Sequence, residues 1–511
     1  MPGQDILATH AAVRGDKPAL IEGARTVLYR DLNARASRAG NLLASLGVQP
    51  GDRVAVMQHN SIAGFEISGG LRKIGVVGVP VNFRLRGAEV AYLVNDSGAK
   101  VVIAGESFVP VVEEARAAVQ GERIYLAVGG HVPRGWLPFE ELMSESEEAE
   151  PASGPSDGGL GASMVYTSGT TGHPKGAYRP KGLPLERVVE AIQAFGLGES
   201  DVHLMAGPGY HSAVGAFCLL TVALGGTIVV MPKFDAEEAL RLIERHRVST
   251  TFMAPVLMQR IVDLPEATRA RYDVSSMRAL IAGAAPFPFP LKERVAAYFE
   301  DCLYEFYGAT ETGFNLVLRP EEQLARPGSA GRPLSGHAIR LLDEAGEEVP
   351  VGVPGELWVR NDGLAEYFNK PDATASSLRD GYFSVGDVAY RDGDGFYYIC
   401  DRRIDMVISG GVNIYPAEVE ACLAGHPDVL DVAVIGVPDA EWGESVKAVV
   451  SPRPGSSPGE AELIQWCRVR IADYKRPRSV DFVAELPRDQ AGKLLKRKIR
   501  EPYWQDAGRS V

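Results

Sequence analysis

Cysteine is scarce in this chain: five residues in 511, at Cys218, Cys302, Cys400, Cys422 and Cys467, with no pair spacing among them. That excludes a disulfide framework, and the lack of a CxxC pair or a His/Cys cluster excludes the common zinc spacings. A reducing compartment, the cytoplasm, is the expected location. Excess positive charge is also lacking. With 53 Lys and Arg against 66 Asp and Glu, the formal charge is -13, which gives no pull toward nucleic acid or anionic lipid. The opening "MPGQDILATHAAVRGDKPAL" has no basic region followed by an apolar run and does not read as a signal peptide. Long apolar runs are rare too. One, "AVGAFCLLTVALGGTIVVM" at 213–231, is long enough to resemble a membrane span, but Gly225 and Gly226 divide it. It reads as a buried helix, a turn and a buried strand, so no transmembrane segment is expected.

What is present is length and alternation. A chain of 511 residues exceeds one ordinary core, so at least two domains are expected. "YRDLNARASRAGNLLASLG" has helical periodicity ending at Gly47, and "DRVAVMQ" and "IGVVGVPV" are short strand-like runs. "AEVAYLVNDSGAKVVIAG" and "EEALRLIERHRVSTTFMAP" each run helix then strand. The first 300 or so residues therefore read as α/β units on parallel sheets. The stretch "SESEEAEPASGPSDGGLGA" reads as an exposed, solvated acidic connection. After about residue 325, Asp-Gly and Pro-Gly signals between short strands predict hairpins and a smaller β-rich unit. From Asp401 the pattern is mixed again, which places a boundary near 400: a unit of residues 1–400 and a compact α+β unit of 401–511.

One stretch carries chemistry on its face. "VYTSGTTGHPKGA", residues 165–177, offers glycines that let backbone N-H groups approach an anion, hydroxyls at Thr167, Ser168, Thr170 and Thr171, and the mobile charge of Lys175. Gly169 and Gly172 complete a nest suited to triphosphate oxygens. It is not the GxxxxGK[ST] form, because Lys175 follows Pro174 and no Ser or Thr comes after it. Alone, such a loop is equally an ordinary surface turn.

Four further stretches follow in order: "YGATETG" at 307–313, "YFSVGD" at 382–387, "DRRIDMVISGGVNIYPAEVE" at 401–420 and "LPRDQAGKLLKRKIR" at 486–500. With these the whole chain resembles the adenylate-forming superfamily of acyl-CoA synthetases, peptide-synthetase adenylation domains and firefly luciferases. The resemblance implies an α/β fold with a large multi-sheet N-terminal domain, made of two α/β subdomains and a small distorted β-barrel, and a small mobile C-terminal domain. It implies a carboxylate attacking the alpha-phosphate of ATP, with Mg2+ to offset the meeting of two anions, and then transfer of the acyl group to coenzyme A. It places Glu311 on the metal, Thr310 beside the alpha-phosphate, Asp387 on the ribose hydroxyls, and Arg402 as a second ribose or phosphate contact. Gly283, Ala284 and Ala285 would lie along adenine, with Tyr307 and Gly308 beside it. Lys493 matches the lysine that bridges carboxylate and phosphate during adenylation, while Ser409, Gly410 and Gly411 match the face presented to the pantetheine arm after the small domain rotates. The hinge position falls on Ile404, where a lysine or aspartate is more usual, so Asp405 is an alternative pivot. Lys496, Arg497, Lys498 and Arg500 read as a solvated basic face.

His211, in "AGPGYHSAVGAF", matches the histidine at the acyl-pocket entrance. The small and apolar residues after it suit a hydrophobic acid, and no acidic residue nearby would grip an amine. A medium- or long-chain fatty acid is the first expectation. Aryl, alicyclic or steroid-side-chain acids are the alternative, and an acyl-AMP ligase loading a carrier protein is a lesser one. A nucleotide-binding regulator without turnover would bind ATP yet release no pyrophosphate; the joint presence of Lys175, Glu311, Asp387, Arg402 and Lys493 argues against it. A homodimer is expected only from the resemblance.

Overall fold

A computed structural model describes residues 5–152, 161–167, 174–402, 405–409, 412–439, 442–471, 473–488 and 494–504. Among the described residues the strands form five sheets. In the nine-stranded sheet, Pro18–Glu22, Thr227–Val230, Val202–Met205, Thr250–Met253, Ala279–Ala282 and Leu303–Ala309 lie side by side and parallel. Chain direction matters here. From Val202–Met205 the chain steps to one neighbour, Thr227–Val230, then crosses back to Thr250–Met253 on the other side. The connections leave in opposite directions at that point and open a crevice beyond the carboxyl ends of the strands.

A second sheet, of Val77–Pro80, Arg53–Met57, Val101–Gly105, Ile124–Val128 and Leu137–Pro138, is parallel throughout. The expectation of α/β units on parallel sheets therefore holds for these two layers, with antiparallel additions only at the margins of the nine-stranded one. One departure is functional in position. Ser163–Thr167 and Lys175–Arg179 pair antiparallel and form a small separate sheet with Glu366–Tyr367. The β-rich unit after residue 325 is an antiparallel six-stranded sheet, in which Asp387–Arg391 and Tyr397–Arg402 flank the Asp-Gly turn. The last sheet joins Val407–Ser409, Val412–Ile414, Val429–Asp439, Gly443–Pro452 and Ser479–Phe482, with its own core of Val407, Val419, Val434, Ala448 and Leu463.

The long apolar run resolves as its glycines predict. Helix Ser212–Leu224 ends at Gly225, whose φ of 76° supplies the left-handed cap, and strand Thr227–Val230 follows, buried along its whole length. No described helix is long and apolar enough to cross a membrane. Two charge runs differ from expectation because their partners are distant in sequence. Part of the acidic connection is docked: Glu148 pairs with Arg38 at 2.9 Å and Glu150 with the buried Lys73 at 2.6 Å. In the basic run, Lys496 pairs with Glu420 and Arg500 with Asp405, both at 2.9 Å, and Arg500 is buried. Arg497 and Lys498 are exposed, as a solvated face requires.

Candidate active site

A cleft of about 2520 Å3 opens at the carboxyl ends of the parallel strands. Three strands deliver its walls. The segment after Val202–Met205 brings His211, that after Ala279–Ala282 brings Ala284 and Ala285, and that after Leu303–Ala309 brings Thr310 and Glu311. Residues a hundred positions apart thus meet because parallel strands end on one edge. Gly283 lies just beneath, where an added Cβ would come within 2.7 Å of the Phe306 ring. Ala284 has a φ of 67°. A side-chain-bearing residue costs roughly 1–2 kcal/mol there, so the turn holds a strained backbone against the cleft.

Glu311 is 6% exposed. Its Oε1 accepts from Thr167 Oγ1 at 3.2 Å and from the Tyr367 hydroxyl at 3.0 Å. Buried Arg179 stands behind this carboxylate, donating to the carbonyls of Gly363 and Thr310 at 2.7 Å each. Burial pushes the Arg179 guanidinium down to about 10, opposed by the charge of Glu311, so it stays positive at neutral pH. The Thr310 hydroxyl lies 3.0 Å from that of Ser212 at the start of the helix behind His211. Asp387 is buried and accepts from the Tyr307 hydroxyl at 2.5 Å, which fixes the ring's orientation beside Gly308. The Arg402 backbone pairs with Asp387 in register; its side chain lies outside the described part of the residue.

The phosphate-loop candidate is held at both ends. Thr167 pairs with Lys175 in the antiparallel hairpin, while Ser168, Gly169, Thr170, Thr171 and Gly172 lie outside the described residues. Just before that interval the Tyr166 hydroxyl donates to Asp96 Oδ2 at 2.7 Å; just after it the Tyr92 hydroxyl donates to the Pro174 carbonyl at 2.9 Å. Lys370 donates to the other oxygen of Asp96 at 2.8 Å. Burial, and then the Asp96 carboxylate, push the Tyr166 hydroxyl well above its ordinary pKa, so it remains a donor. Lys175 Nζ sits 4.8 Å above the Tyr367 ring, at favourable distance for a cation over an aromatic face.

His211 precedes helix Ser212–Leu224, and its loop is clamped from the second sheet. Asn60, buried, donates to the carbonyls of Gly207 at 2.8 Å and Met231 at 3.0 Å and accepts from the Gly209 N-H at 2.8 Å. Beyond His211 the helix presents Gly215, Ala216 and Leu219 to the cleft. Phe306 and Phe314 line this side, edge to face at 4.8 Å; behind them in the core Phe217 is 5.2 Å from Phe314 and Phe252 stacks on Phe217 at 5.6 Å.

From the C-terminal part, Leu494, Leu495 and Lys496 line the cleft, whereas Ser409 sits in a strand paired with Val412 and Gly443 and is not in the described lining. Lys493, Ile404, Gly410 and Gly411 lie outside the described residues. Asn60, Asp96, Arg179 and Tyr367 are the members of the site that motif reading missed. A lone Asn, Asp, Arg or Tyr in an unremarkable segment gives no signal until folding brings it to a motif.

Residues 7–368 match the sequence model of the AMP-binding enzyme family, and residues 418–493 match the AMP-binding enzyme C-terminal domain. The chain belongs to this family of adenylate-forming enzymes. A feruloyl-CoA synthase of an Amycolatopsis species is 39% identical over 490 residues, covering 95% of this chain and 96% of that one. The long-chain-fatty-acid–CoA ligase FadD13 of Mycobacterium tuberculosis is 35% identical, with 93% of each chain covered. Among solved structures, an anthranilate CoA ligase, AuaEII, in complex with anthranoyl-AMP superimposes with a TM-score of 0.88 at 27% identity, covering 99% of this chain and 98% of that one. The protein is an AMP-forming acid–CoA ligase that uses ATP with Mg2+ and takes coenzyme A as substrate.

Proposed function

We propose that the acid activated here is an aromatic carboxylic acid, and that the wall of Phe306 and Phe314 recognises its ring. This wall is the observation that carries the reading, because two aromatic side chains set edge to face at 4.8 Å offer an edge and a face that a flat ring matches and a long flexible chain does not. The 39% identity to a protein named for feruloyl-CoA supports the same class. It reverses the order of preference given by the small, apolar sequence after His211, which favoured a fatty acid first.

In this reading residues 1–400 bind ATP and the acid, and residues 401–511 move between the two half-reactions. His211, held through Asn60, borders the acid's carboxylate. Thr310, oriented by Ser212, and Lys175, over Tyr367, face the phosphates, while Asp387 takes the ribose hydroxyls with its two acceptor oxygens. Glu311 is a hard-oxygen donor suited to Mg2+, and the metal would offset the charge of the reacting anions. Lys493 would join the carboxylate and phosphate during adenylation, and Ser409, Gly410 and Gly411 would border the thiol arm afterwards.

The experiment is pyrophosphate release with ATP and Mg2+ across aryl-propenoic, benzoic, fatty and alicyclic acids, with and without coenzyme A, followed by mass detection of the thioester. Aryl acids should give the highest kcat/KM. A fatty acid ahead of every aryl acid refutes the proposal; pyrophosphate without thioester moves the acceptor to a carrier protein.

A further inference from the structure

Helix Leu185–Ala194 lies alongside the aromatic wall. Val188 and Ala191 on one face join the core that contains Phe217 and Phe306. The adjacent face carries Arg187 and Glu190, and both line the same cleft as the wall, together with Leu183, Leu334 and His337. An ion-paired carboxylate beside the apolar Leu183, Phe314 and Leu334 needs a reason.

Arg187 has a structural one. Its Nη1 donates to the Ser335 carbonyl at 2.9 Å and to Glu190 Oε2 at 2.6 Å, and its Nε lies 2.9 Å from Asp362 Oδ1. These contacts tie the helix to two loops. His337 Nδ1 approaches the same Glu190 Oε2 at 3.4 Å. Both contacts that Glu190 makes, to Arg187 and to His337, therefore use Oε2. Glu190 Oε1 is buried and has no hydrogen-bond partner, in a residue only 9% exposed. A carboxylate oxygen has two acceptor positions, and leaving them empty in a buried place is unfavourable. Burial raises the carboxyl above its usual range, opposed by Arg187. A hydroxyl donor would satisfy the oxygen whichever way the proton is shared.

We propose that Glu190 Oε1 accepts a hydrogen bond from a hydroxyl at the end of the acid remote from its carboxylate, so that the preferred aryl substrate carries a phenol. This rests on the aryl-acid reading and adds to it the polar group that the pocket selects. Glu190 is a specificity-determining residue, Arg187 and His337 position it, and the phenol stays neutral because its ordinary pKa, near 10, lies above working pH.

The test compares kcat/KM for pyrophosphate release with 3-arylpropenoic acids bearing 4-hydroxy, 4-methyl or no substituent, in the wild type, Glu190→Gln and Glu190→Leu. A hydrogen bond to a buried charged acceptor should favour 4-hydroxy over 4-methyl about 10- to 100-fold in the wild type. That ratio should shrink in Glu190→Gln and fall to about one or below in Glu190→Leu. A ratio near one in the wild type overturns the proposal while leaving the aryl reading intact; so does a wild-type preference that both variants retain, which would assign recognition elsewhere or Oε1 to an ordered water only. If these variants do not fold, Glu190→Asp, which keeps the charge but draws the acceptor back by one methylene, takes their place, and retention of the full wild-type ratio in it overturns the proposal. Turnover of fatty acids with none of the aryl acids refutes the aryl reading itself, and this inference with it.

Discussion

Replacing Asn60 by Ala removes two donated hydrogen bonds, to Gly207 and Met231, and one accepted from Gly209. Each is worth about 1 kcal/mol net, so a loss of about 3 kcal/mol in unfolding free energy is expected. The consequence for function is separate. Gly207 and Gly209 belong to the segment that carries His211, so loosening them should raise KM for the acid about 3- to 10-fold while leaving KM for ATP nearly unchanged. Asn60→Asp sharpens the test. The acid keeps the acceptor for the Gly209 N-H but turns an acceptor toward two carbonyl oxygens, so at neutral pH it should destabilise at least as much as Asn60→Ala. Its defect should shrink as pH falls and the introduced carboxyl takes up a proton. Urea unfolding at pH 7 and pH 5, paired with steady-state kinetics on both substrates, reads all of this. A stability change under about 0.5 kcal/mol, a typical surface value, or equal effects on the two KM values, would refute the assignment of Asn60 as the clamp of the His211 loop.

Asp96→Asn should weaken the anchor that precedes the segment between Tyr166 and Pro174, where Tyr166 and Lys370 both donate to Asp96, raising KM for ATP about 3- to 10-fold with little change for the acid; an unchanged ATP dependence counts against the anchoring role. Tyr367→Phe removes one hydrogen bond to Glu311 Oε1, and kcat for the adenylation half-reaction should fall about tenfold, the effect of a charged hydrogen bond; isotope exchange between pyrophosphate and ATP measures it, and full retention would show that the hydroxyl does not position Glu311. Burial depresses His203 from 6.5 to about 4, so its stabilising contribution is whole above about pH 6.5 and is lost as pH falls toward 4. By pH 5 that loss is about 2 kcal/mol, and a His203→Asn variant should lack it; a stability gap between wild type and variant that is the same at pH 7 and pH 5 contradicts the linkage.

The parts legible in the sequence were those whose cause is local. Gly225 caps a helix because its own φ is positive, and Thr310, Glu311 and Asp387 sit in contiguous motifs at strand ends. Long-range partners were not legible. Asp96 meets Lys370 across 274 positions, and Asn60 reaches Gly207 across 147. Charge runs failed for the same reason: Lys496 and Arg500 looked solvated because Glu420 and Asp405, which neutralise them, come 76 and 95 positions earlier. Glu190 was invisible in a different way, since its i, i+3 spacing from Arg187 reads as an ordinary helix pair and only folding shows which oxygen is left over.

The two pairs that hold the last helix also set where this chain can be recombined with its relatives. Asp405 and Arg500 bracket almost the entire C-terminal sheet, and Lys496 with Glu420 repeats the bracket inside it. A crossover placed before Asp405 transfers both pairs intact. One placed between Glu420 and Lys496 takes each cation from one parent and its carboxylate from the other, and a buried arginine then depends on whether the second parent happens to supply an acid. Block exchange between such enzymes should therefore succeed at a cut before Asp405 and fail at cuts between Glu420 and Lys496.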